Sequence, residues 1–260
     1  PPLPPSRTAT TTPPSTGWSM TLMFLEQWDA VRNSSDDLSK YRPTLSVPSD
    51  GYVQPYCDSP LDDEYLGENV YLNMINGAKR YVYITTPYLI VDSEMKTALC
   101  LAAKRGVDVQ IITPGIPDKK IVWDLTRSYY PELLSAGVHI YEYTPGFIHS
   151  KLCICDDEAA VTGTINFDYR SLYLHFENAC LFIYNAVVLQ AKMTFCVRRK
   201  NPRRSSLKIW GISKSIEVCS AVSITQSCGY LHRFCKKKSL GTLKQKMSIF
   251  ICEAIFSSTD

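Results

Sequence analysis

Nowhere in this chain of 260 residues do eighteen consecutive apolar residues occur, so no membrane-spanning helix is encoded in it. The best apolar run, residues 249–256, is too short and carries Glu253. The first sixteen residues are rich in Pro, Thr and Ser and lack an apolar core. They read as a disordered start and not as a secretory signal peptide. Ten cysteines are present, but none forms a CxxC pair and no Cys/His cluster has zinc-finger spacing. Structural zinc is therefore not expected, and the thiols read as a reduced set. Histidine is scarce, with four copies at His139, His149, His175 and His232, so histidine chemistry has few places to sit.

Charge is divided unevenly. Residues 1–190 hold 14 Lys/Arg against 22 Asp/Glu, and residues 191–260 hold 14 against 3, which sets a basic tail on an acidic body. The clusters Arg203-Arg204 and Lys236-Lys-Lys238 read first as solvated surface, and nucleic acid is not an expected partner.

Along the chain, Met20, Phe24, Leu25, Trp28 and Val31 fall at helical spacing, and a polar linker follows to residue 50. The middle alternates: a helix over residues 62–80, a strand over 81–85, a helix from Ser93 ended by Gly106, and a strand over 107–113. A helix over 118–136 comes next, then strands over 138–143, 148–155, 159–162 and 177–184. Strands alternating with helices imply an α/β sandwich, and the neighbouring strands near residues 148–162 imply a hairpin and a mixed sheet. Beyond about residue 190 the periodicity fades. The expected organisation is a disordered start, short helix and linker (1–50), a folded domain (51–190) and a basic divergent tail whose folding the sequence leaves open (191–260). Tyr88, Trp123, Tyr129 and Tyr130 read as core aromatics, with a lipid channel as the alternative.

The chemistry concentrates in one string: His149-x-Lys151-x4-Asp156, then Gly163-Thr-Ile-Asn166, then Glu177. Histidine can attack phosphorus or protonate a leaving alkoxide. Lys151, Asn166 and Thr164 have the groups to hold non-bridging phosphate oxygens. His149 and Lys151 are two apart on the strand expected over 148–155, so both side chains leave the same face of the sheet. Glu177 is the candidate carboxylate to orient the imidazole of His149. No metal or cofactor is called for.

This string resembles the HKD motif of the phospholipase D superfamily. The blocks Gly146-Phe-Ile-His-Ser-Lys151 and Gly163-Thr-Ile-Asn-Phe-Asp-Tyr-Arg-Ser-Leu-Tyr-Leu-His-Phe-Glu177 resemble the C-terminal half of bacterial cardiolipin synthases, as do residues 81–88 and 105–113. The resemblance implies a phospholipase D-like α/β/α sandwich with a mixed β-sheet and one HKD half. It implies phosphatidyl transfer between phosphatidylglycerol molecules through a phosphohistidine, with catalytic roles for His149, Lys151, Asp156 and Glu177. His149, Lys151, Asn166 and Thr164 would contact the phosphate, and Asp156 would be chiefly structural. Family members carry two such motifs and this sequence has one, because none of His139, His175 and His232 opens a second. A fragment that needs the missing N-terminal half, or a homodimer partner, is the expectation. The resemblance places the full-length family at the cytoplasmic membrane, and this chain, without a span, at a membrane surface or in the cytoplasm. The alternatives are a single-HKD phosphodiesterase or nuclease active as a homodimer, and a non-catalytic remnant.

Overall fold

Residues 81–85 are buried along their whole length, which requires apolar layers on both sides of the sheet they belong to. The computed structural model describes residues 16–32, 37–42, 44, 50–61, 64–200 and 207–209. The start read as disordered, most of the linker and the tail beyond residue 209, with its lysine cluster and last cysteines, lie outside the described residues.

In chain order the elements are α1 (Thr16–Arg32), a 3-10 turn at Leu38–Tyr41, β1 (Tyr52–Asp58), α2 (Leu66–Gly77), β2 (Tyr81–Thr85) and β3 (Leu89–Ile90). There follow α3 (Ser93–Lys104), β4 (Asp108–Pro114), α4 (Lys120–Ser128), α5 (Tyr130–Ser135), β5 (His139–Tyr143), β6 (Leu152–Cys155) and β7 (Ala159–Gly163). The last are β8 (Phe167–Asp168), α6 (Tyr169–Tyr173), β9 (Glu177–Ile183), α7 (Ala186–Lys200) and β10 (Leu207–Ile209).

Eight strands form one sheet in the order β1-β9-β7-β6-β2-β4-β5-β10. β2, β4 and β5 are mutually parallel, and the other pairings are antiparallel. Side chains alternate across a strand. Val82, Ile84, Val109, Ile111, Cys153 and Cys155 therefore meet Tyr71, Met95, Leu99 and Leu133 from the helices on one face. Tyr81, Tyr83, Ile154 and Ala160 meet Val188 and Phe195 of α7 on the other. This is the expected α/β/α sandwich with a mixed sheet. Tyr129 and Tyr130 belong to the core, as read from sequence.

Four differences from the sequence reading have local causes. The helix expected over 118–136 is two helices broken at Tyr129, because Pro131 has no N–H to continue the ladder and sits in the first turn of α5. β1 was not foreseen; its Pro55 is tolerated because the strand lies at the sheet's edge. The strand expected over 148–155 pairs only from Leu152, opposite Thr85 and Thr162. Its neighbours end there, so the segment holding His149 and Lys151 has no ladder to join. Finally, α7 runs straight across residue 190, and its Phe195 is fully buried against the sheet.

Candidate active site

Thr85 and Leu152 are register partners, so the segment before Leu152 extends past the C-terminal end of β2. This is the end of the parallel strands where sites in α/β sheets gather. His149 is exposed there, its ring stacked on Phe147 at 5.7 Å. Two residues on, Lys151 turns inward: it is 8% exposed and its Nζ donates to the carbonyl of His149 at 2.9 Å. Burial lowers the Lys151 pKa, and the charges of Glu177 and Asp168 oppose that shift. Burial, then the Lys151 charge, lowers the pKa of His149, with Asp118 pulling the other way. The imidazole therefore favours its neutral form.

The Gly163–Asn166 loop lies beside this pair because β7 and β9 approach closely. A Cβ on Gly163 would stand 2.2 Å from the Asn178 carbonyl oxygen, so only glycine fits. The loop is fixed by Tyr71, whose hydroxyl donates to the Ile165 carbonyl at 2.9 Å, and by the parallel pairing of β3 with β8. Thr164 donates its hydroxyl to Glu177, and Asn166 Nδ2 donates to Ser171 Oγ at 2.8 Å. The Asn166 Oδ1 is buried without a hydrogen-bond partner, an acceptor left over for a ligand's donor.

Lys151, Thr164, Asn166 and Glu177 thus belong to one cluster, with His149 at its mouth. Two sequence assignments come out differently. Glu177 is engaged with Thr164 and Ser171 and faces His175 Nδ1 at 3.5 Å, and among the described residues no hydrogen bond joins it to His149. The short side chain of Glu177 issues from the first residue of β9, next to the Thr164 turn, and its oxygens are spent there. Asp156 lies at the opposite end of β6 from Lys151, about 16 Å away at the usual rise per strand residue. There it accepts the backbone N–H groups of Lys79, Arg80 and Tyr81 at 2.6, 2.9 and 2.8 Å. That is the structural side of its expected character, at a distance from the imidazole.

Three participants were not singled out from the sequence. Asp168 is buried beside Lys151 and caps α6 by accepting the Ser171 N–H at 2.7 Å. His175 takes a hydrogen bond from Arg170 Nε at 2.6 Å on Nε2, so the proton of the neutral ring sits on Nδ1, toward Glu177. Asp118, in the loop after β4, accepts the Tyr88 hydroxyl at 2.5 Å. None falls inside the spacing that defines the string, and only Asp168 has a sequence signal, its N-cap place three residues before Ser171. Among the described residues no group of three or more His, Cys, Asp or Glu is arranged to hold a metal ion.

Burial raises the Asp168 carboxyl to about 6, despite its hydrogen bond from Ser171. A carboxyl raised on folding stabilises the fold when protonated. Its contribution is complete below the unfolded value near 3.8 and disappears as pH rises to about 6. Asp168→Asn keeps a cap and deletes the buried charge. Relative to the parent, its unfolding free energy in urea should improve by about 3 kcal/mol between pH 4 and pH 7. A difference that does not change with pH would contradict this assignment.

A model of the cardiolipin synthase phospholipase D-like domain matches residues 71–196. An uncharacterized protein of Streptococcus mutans is 52% identical over 191 residues, 72% of this chain and 41% of that protein. A cardiolipin synthase of Halalkalibacterium halodurans is 42% identical over 167 residues, 63% of this chain and 33% of that enzyme. The chain therefore spans between one third and about two fifths of the length of these relatives. Phosphatidylserine synthase from Haemophilus influenzae, at 15% identity, superposes with a TM-score of 0.50 over 68% of this chain and 45% of that one, a likeness of fold.

Proposed function

We propose that the chain supplies one half of a phosphatidyltransferase site that acts on phosphatidylglycerol, a reading supported by the match of residues 71–196 to the cardiolipin synthase phospholipase D-like domain. The observation that carries this reading is the meeting, at one end of the sheet, of an exposed neutral-leaning imidazole, a buried ammonium and the Thr164–Asn166 loop. Such a site can take a phosphodiester: Lys151 and Asn166 hold its non-bridging oxygens, with Thr164 fixing the loop, and the imidazole of His149 moves a proton. Glu177 acts behind them, on Thr164, Ser171 and the charge of Lys151, and not as the direct partner of His149.

The chemistry requires two histidines. In the first step a histidine nitrogen bonds to phosphorus while the bond to one glycerol oxygen breaks, and that oxygen takes a proton from the facing imidazolium. In the second, a hydroxyl of another phosphatidylglycerol gives its proton to the same imidazole, and its oxygen displaces the histidine. His149 suits the proton-moving role. The facing imidazole then comes from a second HKD half or from a second copy of this chain. No described helix is long and apolar enough to cross a membrane.

A chimera tests this. The matching third of the Halalkalibacterium halodurans enzyme is replaced by residues 17–190 of this chain, and cardiolipin and glycerol released from phosphatidylglycerol vesicles are measured. Cardiolipin formation is the expected result. A folded chimera that turns over a generic phosphodiester but never phosphatidylglycerol would favour a phosphodiesterase instead, and one that turns over neither would favour a remnant. In an active chimera, Lys151→Ala should lower kcat by about 10²–10³-fold, the usual effect of losing one donor to developing phosphoryl charge.

A further inference from the structure

Beside His149 stands a second polar feature that phosphate binding does not use. Asp118 lies in the exposed loop between β4 and α4 and receives the Tyr88 hydroxyl at 2.5 Å and the Lys119 N–H at 2.7 Å. The Tyr88 ring lies 6.4 Å from that of Phe147, which in turn stacks on His149 at 5.7 Å. Tyr88, Phe147 and His149 thus make a row of successive ring neighbours, and Asp118 is bonded to Tyr88. The charge of Asp118 reaches His149, as the upward pull on that imidazole records. Burial and the bond to Asp118 push the Tyr88 phenol pKa well up, so it stays protonated and keeps donating.

We propose that Asp118, held by Tyr88 and floored by Phe147, is the subsite for the acceptor alcohol, and that it selects a polyol. This rests on the phosphatidyltransferase reading above. The phosphodiester is anionic and is drawn to Lys151, away from Asp118, so the two charges divide the site into a phosphate half and a hydroxyl half. Both Asp118 oxygens have a donor but retain lone pairs, and the row offers a carboxylate and an apolar ring face. A glycerol headgroup can place one hydroxyl at His149, to be deprotonated, and another at Asp118, with its C–H edge on Phe147. A headgroup ammonium would also satisfy the carboxylate. It would, however, meet the cation that forms on His149 as the proton is taken, a repulsion that a neutral hydroxyl does not suffer.

The test follows the imidazole resonances of His149 by NMR in the full chain. The probes are glycerophosphoglycerol, glycerophosphoethanolamine and inorganic phosphate. In the parent chain glycerophosphoglycerol should bind more tightly than glycerophosphoethanolamine. Asp118→Asn should weaken glycerophosphoglycerol about tenfold and leave inorganic phosphate equal or tighter. Tyr88→Phe, which frees Asp118 to move, should weaken the same probe by a smaller factor. Equal weakening of glycerophosphoglycerol and phosphate in Asp118→Asn would overturn the subsite, because Asp118 would then serve the whole site. Tighter binding of glycerophosphoethanolamine, lost in Asp118→Asn, would overturn the polyol assignment. Should inorganic phosphate and both diesters fail to move His149 at all, the phosphatidyltransferase reading falls first and takes the subsite with it.

Discussion

Replacing His149 by alanine should lower cardiolipin formation by the chimera by about 10²–10⁴-fold. The size follows from the role: without the imidazole the leaving glycerol oxygen departs unprotonated and the incoming hydroxyl keeps its proton. Among the described residues His175 cannot stand in, because it is engaged by Arg170 and faces Glu177. The loss should be catalytic and not structural. His149 is exposed and its ring contacts Phe147, so thermal melting should change little. In the parent, kcat/KM should fall as pH rises past the His149 ionisation, which burial and Lys151 shift downward, because the first step takes its proton from the imidazolium. Residual turnover above about one per cent in a well-folded His149→Ala chimera would sink the assignment of the proton-moving role.

Much of this site was legible in the sequence because its parts lie close along the chain. His149 and Lys151 are two residues apart, and Thr164, Asn166 and Glu177 follow within one hairpin and one turn, so spacing alone groups them. β2 was legible to its ends because Tyr81–Thr85 is a short run rich in β-branched and aromatic residues, stopped by Pro87. What escaped depends on contacts between distant segments. Asp118 meets the His149 row only through the parallel order of β2, β4 and β5, which no local pattern encodes. Glu177 was matched to His149 by type and spacing, yet at the start of β9 its nearest partners are Thr164 and His175. α7 was obscured because apolar residues occur on both its sides: Val188 and Phe195 face the sheet while Leu189, Met193 and Val197 are exposed, so the helical stripe blurs.

Asp156 shows how a motif residue can lie far from the chemistry, and its replacement gives the second large expected effect. Asp156 and Asp157 are the two central residues of the β6–β7 hairpin, with φ of 56° and 63°. Two successive positive φ values mark a type I′ β-turn over residues 155–158, closed by the Glu158 N–H on the Cys155 carbonyl at 3.0 Å, with Cys155 and Ala159 the first register partners beyond it. The turn brings the Asp156 carboxylate over the start of β2, where three successive backbone N–H groups point at it. Burial by itself would raise its pKa, but those three donors and the Arg80 charge outweigh it and hold the carboxyl below its ordinary value. Hydrogen bonds to a charged acceptor contribute about 1.5–3 kcal/mol each, and they do not add fully. Asp156→Ala should therefore destabilise the fold by about 4 kcal/mol, a large part of the stability of an ordinary domain. Asp156→Asn, which still accepts, should cost less. A carboxyl whose pKa falls on folding adds stability above its unfolded value near 3.8, and that stability is lost as pH drops through the folded value. Acid unfolding of Asp156→Ala should accordingly be shallower than that of the parent. Per folded molecule the variant should keep its turnover, because about 16 Å of strand separates this clamp from Lys151. Urea titrations beside single-turnover assays distinguish the two roles: a variant that melts like the parent yet fails to turn over would move Asp156 from the frame of the site into its chemistry.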